Sequence, residues 1–378
     1  MMTIGILTYW WSRNNYGQIL QAYALQAYLN AKGQDAFLFR YIPPNATKKN
    51  RIKLESRSIK GLARWAIALI YRCAGSFLDR RRNFSSFREQ NIRFSGKQLI
   101  PFSELGAVEV DKLVVGSDQV WNLNFLKTEE EVRAYFLDFG PERLERISYA
   151  TSFGHDGGGY ENVLGDTLKR FSAVSVRESS GIAICGKIGC KDAVNVVDPT
   201  QLLGAEHWSK IAKGYREKRD IFLYMLPWWT TCEYEKMFDD IRARRMSYYF
   251  SGGHGLIRRE MNVWPSINKW IGLVRDSEYI LTNSFHGMLF SIMFNKKFLV
   301  WGVKGGLETM NTRLLDTLKG LGLENRIVFS NTIPWDILMD DIDWKAVNSR
   351  LQSNRMQSFQ YIEDNITSPG NKRNATKA

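Results

Sequence analysis

Acidic residues are in short supply in this 378-residue chain, with 39 Asp and Glu against 52 Lys and Arg, a formal net charge of +13. Cysteine is scarcer. The four (Cys73, Cys185, Cys190, Cys232) form no CxxC pair, and no histidine sits near Cys185 or Cys190. A disulfide framework and a structural zinc site lose their usual supports, so reduced thiols in a cytosolic protein are expected. GxGxxG after the first strand, GxxxxGK[ST], HExxH and GxSxG are all missing. Nicotinamide redox chemistry, P-loop hydrolysis, zincin proteolysis and α/β-hydrolase chemistry are disfavoured accordingly. Long apolar runs are missing too. The best, Leu62 to Leu78, has 17 residues and contains Arg64 and Arg72, whereas a membrane-spanning helix needs about 20 apolar residues. The opening Met1-Met2-Thr3-Ile4-Gly5 enters a strand pattern with no secretory n-region.

What is present reads as a globular protein. Hydrophobic residues are 44% and charged residues 24%, which excludes disorder of the whole chain. The length favours two domains and buries enough surface to hold a core without staples. The positive charge is concentrated. Residues 46–97 hold fourteen Lys or Arg and three acids, which is +11 of the +13. This basic helical segment suits an anionic membrane surface, with Trp65, Ile67, Leu69, Ile70 and Tyr71 as its apolar residues. A solvated helical face explains it equally well. No nucleic-acid partner is expected, because no helix-turn-helix, RNP or zinc motif accompanies the charge.

The chain opens as a βαβ unit. Thr3–Tyr9 is a strand, Trp10–Gly17 a polar-aromatic loop, Gln18–Lys32 a helix stopped by Gly33, and Ala36–Ile42 a strand. Lys112–Gly116, Arg146–Thr151, Ala173–Arg177 and Ala193–Val197 continue the strands. Asp198-Pro199-Thr200 reads as a boundary. Ile221–Leu226, Ser247–Phe250, Tyr279–Thr282, Phe298–Trp301 and Ile327–Phe329 form a second series before a long terminal helix. The expected fold class is α/β, with two Rossmann-like lobes facing a cleft. Ligands of such sheets bind beyond the carboxyl ends of the strands.

Four strand ends or turns carry candidate chemistry. Ser284-Phe285-His286-Gly287-Met288 places His286 at a helix N-terminus, suited to an anion or to general acid work, or else to a core or capping role. Arg177-Glu178 offers a guanidinium for carboxylate or phosphate, or a structural ion pair. Gly116-Ser117-Asp118 offers Asp118 as a base for a hydroxyl, or as a helix cap, with Trp121 as a flat face for a sugar ring. In the first loop, Asn14, Asn15 and Gln18 suit a polyol, and Asn15 equally suits a cap.

Together these residues resemble the polysaccharide pyruvyl transferase family. The resemblance runs in order from residue 3 to 365 through ILTYWWSRNNYGQILQAYALQAYL, DKLVVGSDQVWN, YFLDFG, ISYATSFG, SVRESSG, VVDPTQLL, TNSFHGMLFSIMFNKKF and NTRLLDTLKGLGLENRI. Residues 46–97 are least typical. The resemblance implies a bilobed fold like that of GT-B glycosyltransferases: an acceptor-side lobe over 1–198, a donor-side lobe over 199–345, a helix at 346–366 and a frayed tail at 367–378. It implies transfer of pyruvate from phosphoenolpyruvate to a sugar diol as a ketal. The glycan acceptor is free or lipid-linked, at the inner face of the cytoplasmic membrane. No separate cofactor and no metal are implied.

By resemblance, Arg177, Ser284, His286, Gly287 and Arg313 form the donor side, with His286 supplying a proton. Asn14, Asn15, Asp118 and Trp121 form the acceptor side. Relatives commonly carry Arg-Leu-His-Gly where this chain has Ser284-Phe285-His286-Gly287, so the second donor arginine must come from elsewhere: Arg275, Lys304 or Arg313. A nucleotide-sugar glycosyltransferase on the same fold is the alternative.

Overall fold

The structure, a computed structural model, describes residues 1–44, 46, 82–154, 167–213, 218–226, 234–252, 263–303 and 311–369. Most of the basic segment (47–81) lies outside the described residues, as does the tail from 370 onward. Strands β1 (Thr3–Leu7), β2 (Asp35–Leu38), β3 (Lys112–Val115), β4 (Glu145–Ser148) and β5 (Phe171–Ala173) form one sheet in the order β2-β1-β3-β4-β5. β6 (Ser175–Val176) and β7 (Val194–Asn195) make a short ribbon. β8 (Ile221–Met225), β9 (Tyr248–Gly252), β10 (Tyr279–Thr282), β11 (Lys297–Trp301) and β12 (Ile327–Val328) form the second sheet in the order β12-β11-β10-β8-β9. The strand pairings in both sheets are parallel. Parallel strands covered on both faces are apolar along their length, as in IGIL of β1, KLVV of β3 and YILT of β10.

Ala173–Arg177, expected as one strand, is divided between two sheets. Ser148 and Ser175 are the physical reason. The Ser148 hydroxyl donates to the Ser175 carbonyl at 2.9 Å and accepts from the Ser175 N–H at 2.8 Å, so side chains stand where ladder bonds would run.

The helices that bear on the site are α1 (Tyr16–Ala31), α2 (Ser179–Lys187), α3 (Pro199–Leu202), α4 (Ile267–Asp276), α5 (Phe285–Met293), α6 (Thr312–Leu321) and α7 (Trp344–Tyr361). Asn15 caps α1 by accepting from the Gln18 N–H, and Gly33 follows its end at φ +78°. That left-handed turn costs glycine little. Residues on every side of α1 are buried, as expected of a helix packed on all faces.

Helix α1 lies between the lobes. One core runs through both, joining Leu20 and Leu25 of α1 to Trp270 of α4 and Phe290 of α5. The Tyr16 and Trp270 rings stack at 5.1 Å, and the Tyr16 hydroxyl donates to the Pro265 carbonyl at 2.6 Å. Smaller clusters cover the outer faces of the two sheets. Helix α7 straps the lobes together. Arg350 donates to the Leu321 carbonyl at 2.7 Å in the second lobe, while the Tyr361 hydroxyl donates to the Ser148 carbonyl at 2.8 Å in the first. Among the described residues no helix is long and apolar enough to cross a membrane.

Candidate active site

Carboxyl ends of strands from both sheets converge between the lobes. They enclose a cavity of about 220 Å³ whose walls include Tyr9, Asp118, Ser284, Phe285, His286 and Arg313. Three strand-to-helix turns supply most of this wall, as the topology dictates.

The turn after β10 fixes His286. Ser284 caps α5 by accepting from the Gly287 N–H at 3.3 Å. His286 is 6% exposed, and its Nε2 lies 3.4 Å from Oδ2 of Asp198. On the other side the ring meets α1. A β-carbon at Gly17 would lie 2.0 Å from Nδ1 of His286, so only glycine fits beneath the imidazole.

The turn after β6 fixes Arg177. Its Nη1 donates to Asp198 Oδ2 at 2.8 Å, and the guanidinium stacks 4.5 Å from the Phe285 ring centroid. Burial opposes its charge, but Asp198, Glu178 and Asp118 outweigh burial and raise its pKa. Nε and Nη2 have no hydrogen-bond partner. Arg177 also lines a second cavity of about 110 Å³, with Glu178, Asp198, Phe285 and Asp316. Phe285 borders both cavities.

Arg313 enters from α6, with its guanidinium 5.4 Å from the Phe285 centroid and Nε unpartnered. Burial, then the neighbouring Arg177, pushes its pKa down to about 10. It therefore remains a cation at neutral pH.

Asp198 links these parts. Its side chain is fully buried. Oδ1 accepts from the Thr200 N–H at 3.0 Å and the Thr200 hydroxyl at 2.7 Å, and Oδ2 accepts from Ser117 Oγ at 3.2 Å as well as from Arg177. Burial raises its pKa, but His286, Arg177 and Thr200 outweigh burial and hold it far below the ordinary carboxylate range.

The structure brings His286, Asp118, Ser284, Asn15 and Arg313 to one cavity. Asp118 holds φ +76° and accepts from its neighbour, the Gln119 N–H, at 2.9 Å. Asn15 both caps α1 and lines the cavity. Of the candidate second arginines, Arg313 is in the wall. Arg275 instead pairs with Asp276 at 2.7 Å beside another surface hollow, and Lys304 lies outside the described residues.

Four placements differ from expectation. Trp121 offers no face to a sugar: it is fully buried, stacks on Phe136 at 5.1 Å, and donates its indole N–H to the Tyr135 carbonyl at 3.0 Å. The Gly287 N–H is occupied by Ser284, and a β-carbon there would lie 2.5 Å from Thr282 Oγ1, so Gly287 serves close packing of α5 on β10. Asn14 is exposed, its side-chain Oδ1 accepts from Ser12 Oγ at 3.1 Å, and it is absent from the cavity wall. Arg177 stands behind Phe285 and lines the smaller cavity.

Sequence reasoning passed over Asp198 and Gly17. The signal for Asp198 was its position just past a strand, in the Asp-Pro-Thr turn that reads as a boundary. Gly17 had no signal, because its partner His286 is distant in the chain.

The architecture defines a class: two parallel α/β lobes around an interlobe cleft, the GT-B fold. Among solved structures the chain is similar to S. aureus MnaA with UDP (TM-score 0.52, 10% identity, 98% of this chain and 99% of that one). It is also similar to UDP-GlcNAc 2-epimerase from Neisseria meningitidis bound to UDP-GlcNAc (TM-score 0.48, 8% identity, 95% and 94%). At such identities the likeness is one of fold. No protein of curated function matches by sequence. The chain belongs to the polysaccharide pyruvyl transferase family, whose family model matches residues 15–304.

Proposed function

We propose that this protein transfers pyruvate from phosphoenolpyruvate to a sugar diol of a cell-surface polysaccharide precursor, forming a cyclic ketal and releasing phosphate. The observation that carries the reading is Arg313, a half-buried arginine whose buried Nε is unpartnered, in the same cavity as His286 and Asp118. Family membership supports it.

In this reading Arg313 binds the anionic donor, and Arg177 adds positive potential from behind Phe285. His286 gives a proton to C3 of the enolpyruvyl group. The C2=C3 electron pair forms the new C–H bond, leaving an oxocarbenium centre at C2. A sugar hydroxyl attacks C2 while Asp118 takes its proton. Phosphate leaves with its bonding pair, the second hydroxyl attacks the oxocarbenium carbon so formed, and the now neutral His286 takes its proton as the ketal closes. The acceptor is a free or lipid-linked glycan, and the basic segment 46–97 holds the enzyme near anionic lipid.

Thermal unfolding with phosphoenolpyruvate, inorganic phosphate and nucleotide sugars in separate wells tests the donor. Phosphoenolpyruvate at about 100 times its Kd stabilises by about 2.7 kcal/mol, a rise of a few degrees. That rise is expected to vanish in Arg313→Ala. A rise with nucleotide sugars alone would replace the pyruvyl reading with glycosyl transfer.

A further inference from the structure

Two groups of the site meet on one carboxylate oxygen. Oδ2 of Asp198 lies 2.8 Å from Arg177 Nη1 and 3.4 Å from His286 Nε2. Its other oxygen is held twice by Thr200. Arg177 has its own wedge, the Phe285 ring. The carboxylate is therefore fixed from three sides, and it faces only one of the two imidazole nitrogens. The other, Nδ1, sits over Gly17 where Asn15 and Gln18 line the cavity.

We propose that Asp198 is the positioning residue for His286. Its Oδ2 faces Nε2 at 3.4 Å, an ion-pair contact that lacks hydrogen-bond geometry, so Nδ1 is the nitrogen that delivers the proton. Arg177 is its counterion and keeps the carboxylate ionised and in place. Asp198 does not touch the donor. The inference rests on the reading of His286 as proton donor to C3. In that step the Nδ1–H bond breaks, the C2=C3 pair forms the C3–H bond, and the imidazolium becomes a neutral ring still protonated on Nε2. A carboxylate at this distance fixes the orientation of the ring.

Other charges face the pair. Glu178 follows Arg177 after β6, Asp118 comes from the turn after β3, and Arg313 from the start of α6. The Tyr149 hydroxyl, just past β4, also feels Asp198. Helix α1 contributes the uncharged Gly17.

The test compares the full-length chain with Asp198→Asn, which keeps shape and removes charge. Expected is a fall in kcat of about 10²-fold or more, within the usual span of positioned acid–base groups. Stabilisation by phosphoenolpyruvate should persist, because Arg313 is untouched. In parallel, ¹⁵N NMR of the four histidines at one fixed pH, with the His286 signals identified by their loss in His286→Gln, should show the Nε2 resonance, which faces the carboxylate, moving more than Nδ1. If Asp198→Asn does not fold, the isosteric Thr200→Val replaces it. That variant removes two-point anchoring of the carboxylate and should lower kcat and move the same Nε2 resonance.

A folded Asp198→Asn with wild-type kcat and an unmoved His286 Nε2 resonance overturns the proposal. An unmoved Nε2 resonance with wild-type kcat in Thr200→Val does the same where the first variant is lost. If the wild type fails to release phosphate from phosphoenolpyruvate, the donor reading falls. The NMR arm still decides the role of Asp198, because it needs no donor.

Discussion

Gly17→Ala puts two known effects in opposition. Within a helix, replacing glycine by alanine ordinarily stabilises by about 0.5–1 kcal/mol. Here the new methyl would lie 2.0 Å from His286 Nδ1 and 2.3 Å from its Cγ. Ordinary contact needs about 3.5–4 Å, so the ring or the start of α1 must move by about 1.5 Å. The ring has little room, since Asp198 stands behind it. Overpacking of this kind costs about 1–3 kcal/mol, which outweighs the helix gain. Equilibrium urea unfolding should show net destabilisation of about 0–2.5 kcal/mol. The catalytic loss should be larger, about 10²-fold in kcat, because a displacement near 1 Å at the reacting group has that effect. The double variant Gly17→Ala/His286→Ala removes the ring the methyl strikes. Its stability should exceed the sum of the single changes by about 0.5–3 kcal/mol. A Gly17→Ala protein that is more stable than wild type and fully active would refute the contact between α1 and His286.

Trp121→Ala should cost about 3–5 kcal/mol in urea unfolding, as for a large core aromatic. Its remaining folded fraction should keep the wild-type KM for the glycan acceptor, and a raised KM would return Trp121 to the acceptor site. Asp198 also predicts an acid response. Its folded pKa is depressed, so its stabilisation is present above the ordinary carboxylate value of about 3.9 and is lost as pH falls. Below pH 4 wild-type stability should fall more steeply than that of Asp198→Asn, by about 1.4 kcal/mol per pH unit. Parallel slopes would contradict the buried ion pair.

The fold was legible because its signals are local. Apolar runs such as KLVV and YILT, stopped by Gly or Asn, place strands of a buried parallel sheet, and their alternation with helices implies the lobes. Asn15 and Gly33 mark the ends of α1 by the chemistry of helix termini. The site was legible to the extent that strand ends carry it, which is why Asp118, His286 and Arg313 stand in one cavity. Trp121 misled because residue type does not tell which face of a turn is solvated. Phe136 and Tyr135, which cover it, lie downstream beyond an irregular loop. Gly287 misled because a helix N-terminus offers its N–H groups only when its own cap does not take them, and Ser284 does. Asp198 and Gly17 act through partners far away in the chain. Arg177 and His286 reach Asp198 from different lobes, and no pattern within one segment encodes that meeting.

Helix α7 has a consequence for how the molecule is made. The carbonyl of Ser148, in the middle of the first lobe, is met by the hydroxyl of Tyr361, 213 residues later. The Val197 N–H waits likewise for the hydroxyl of Ser358 at 2.9 Å. At about 5–20 residues per second, synthesis separates the two sides of the Ser148 bond by about 10–40 s. Ser175 Oγ already donates to the Ser148 carbonyl at 2.9 Å, so Tyr361 adds a second bond there, whereas the Val197 N–H gains its partner only when α7, translated long afterwards, packs on the first lobe.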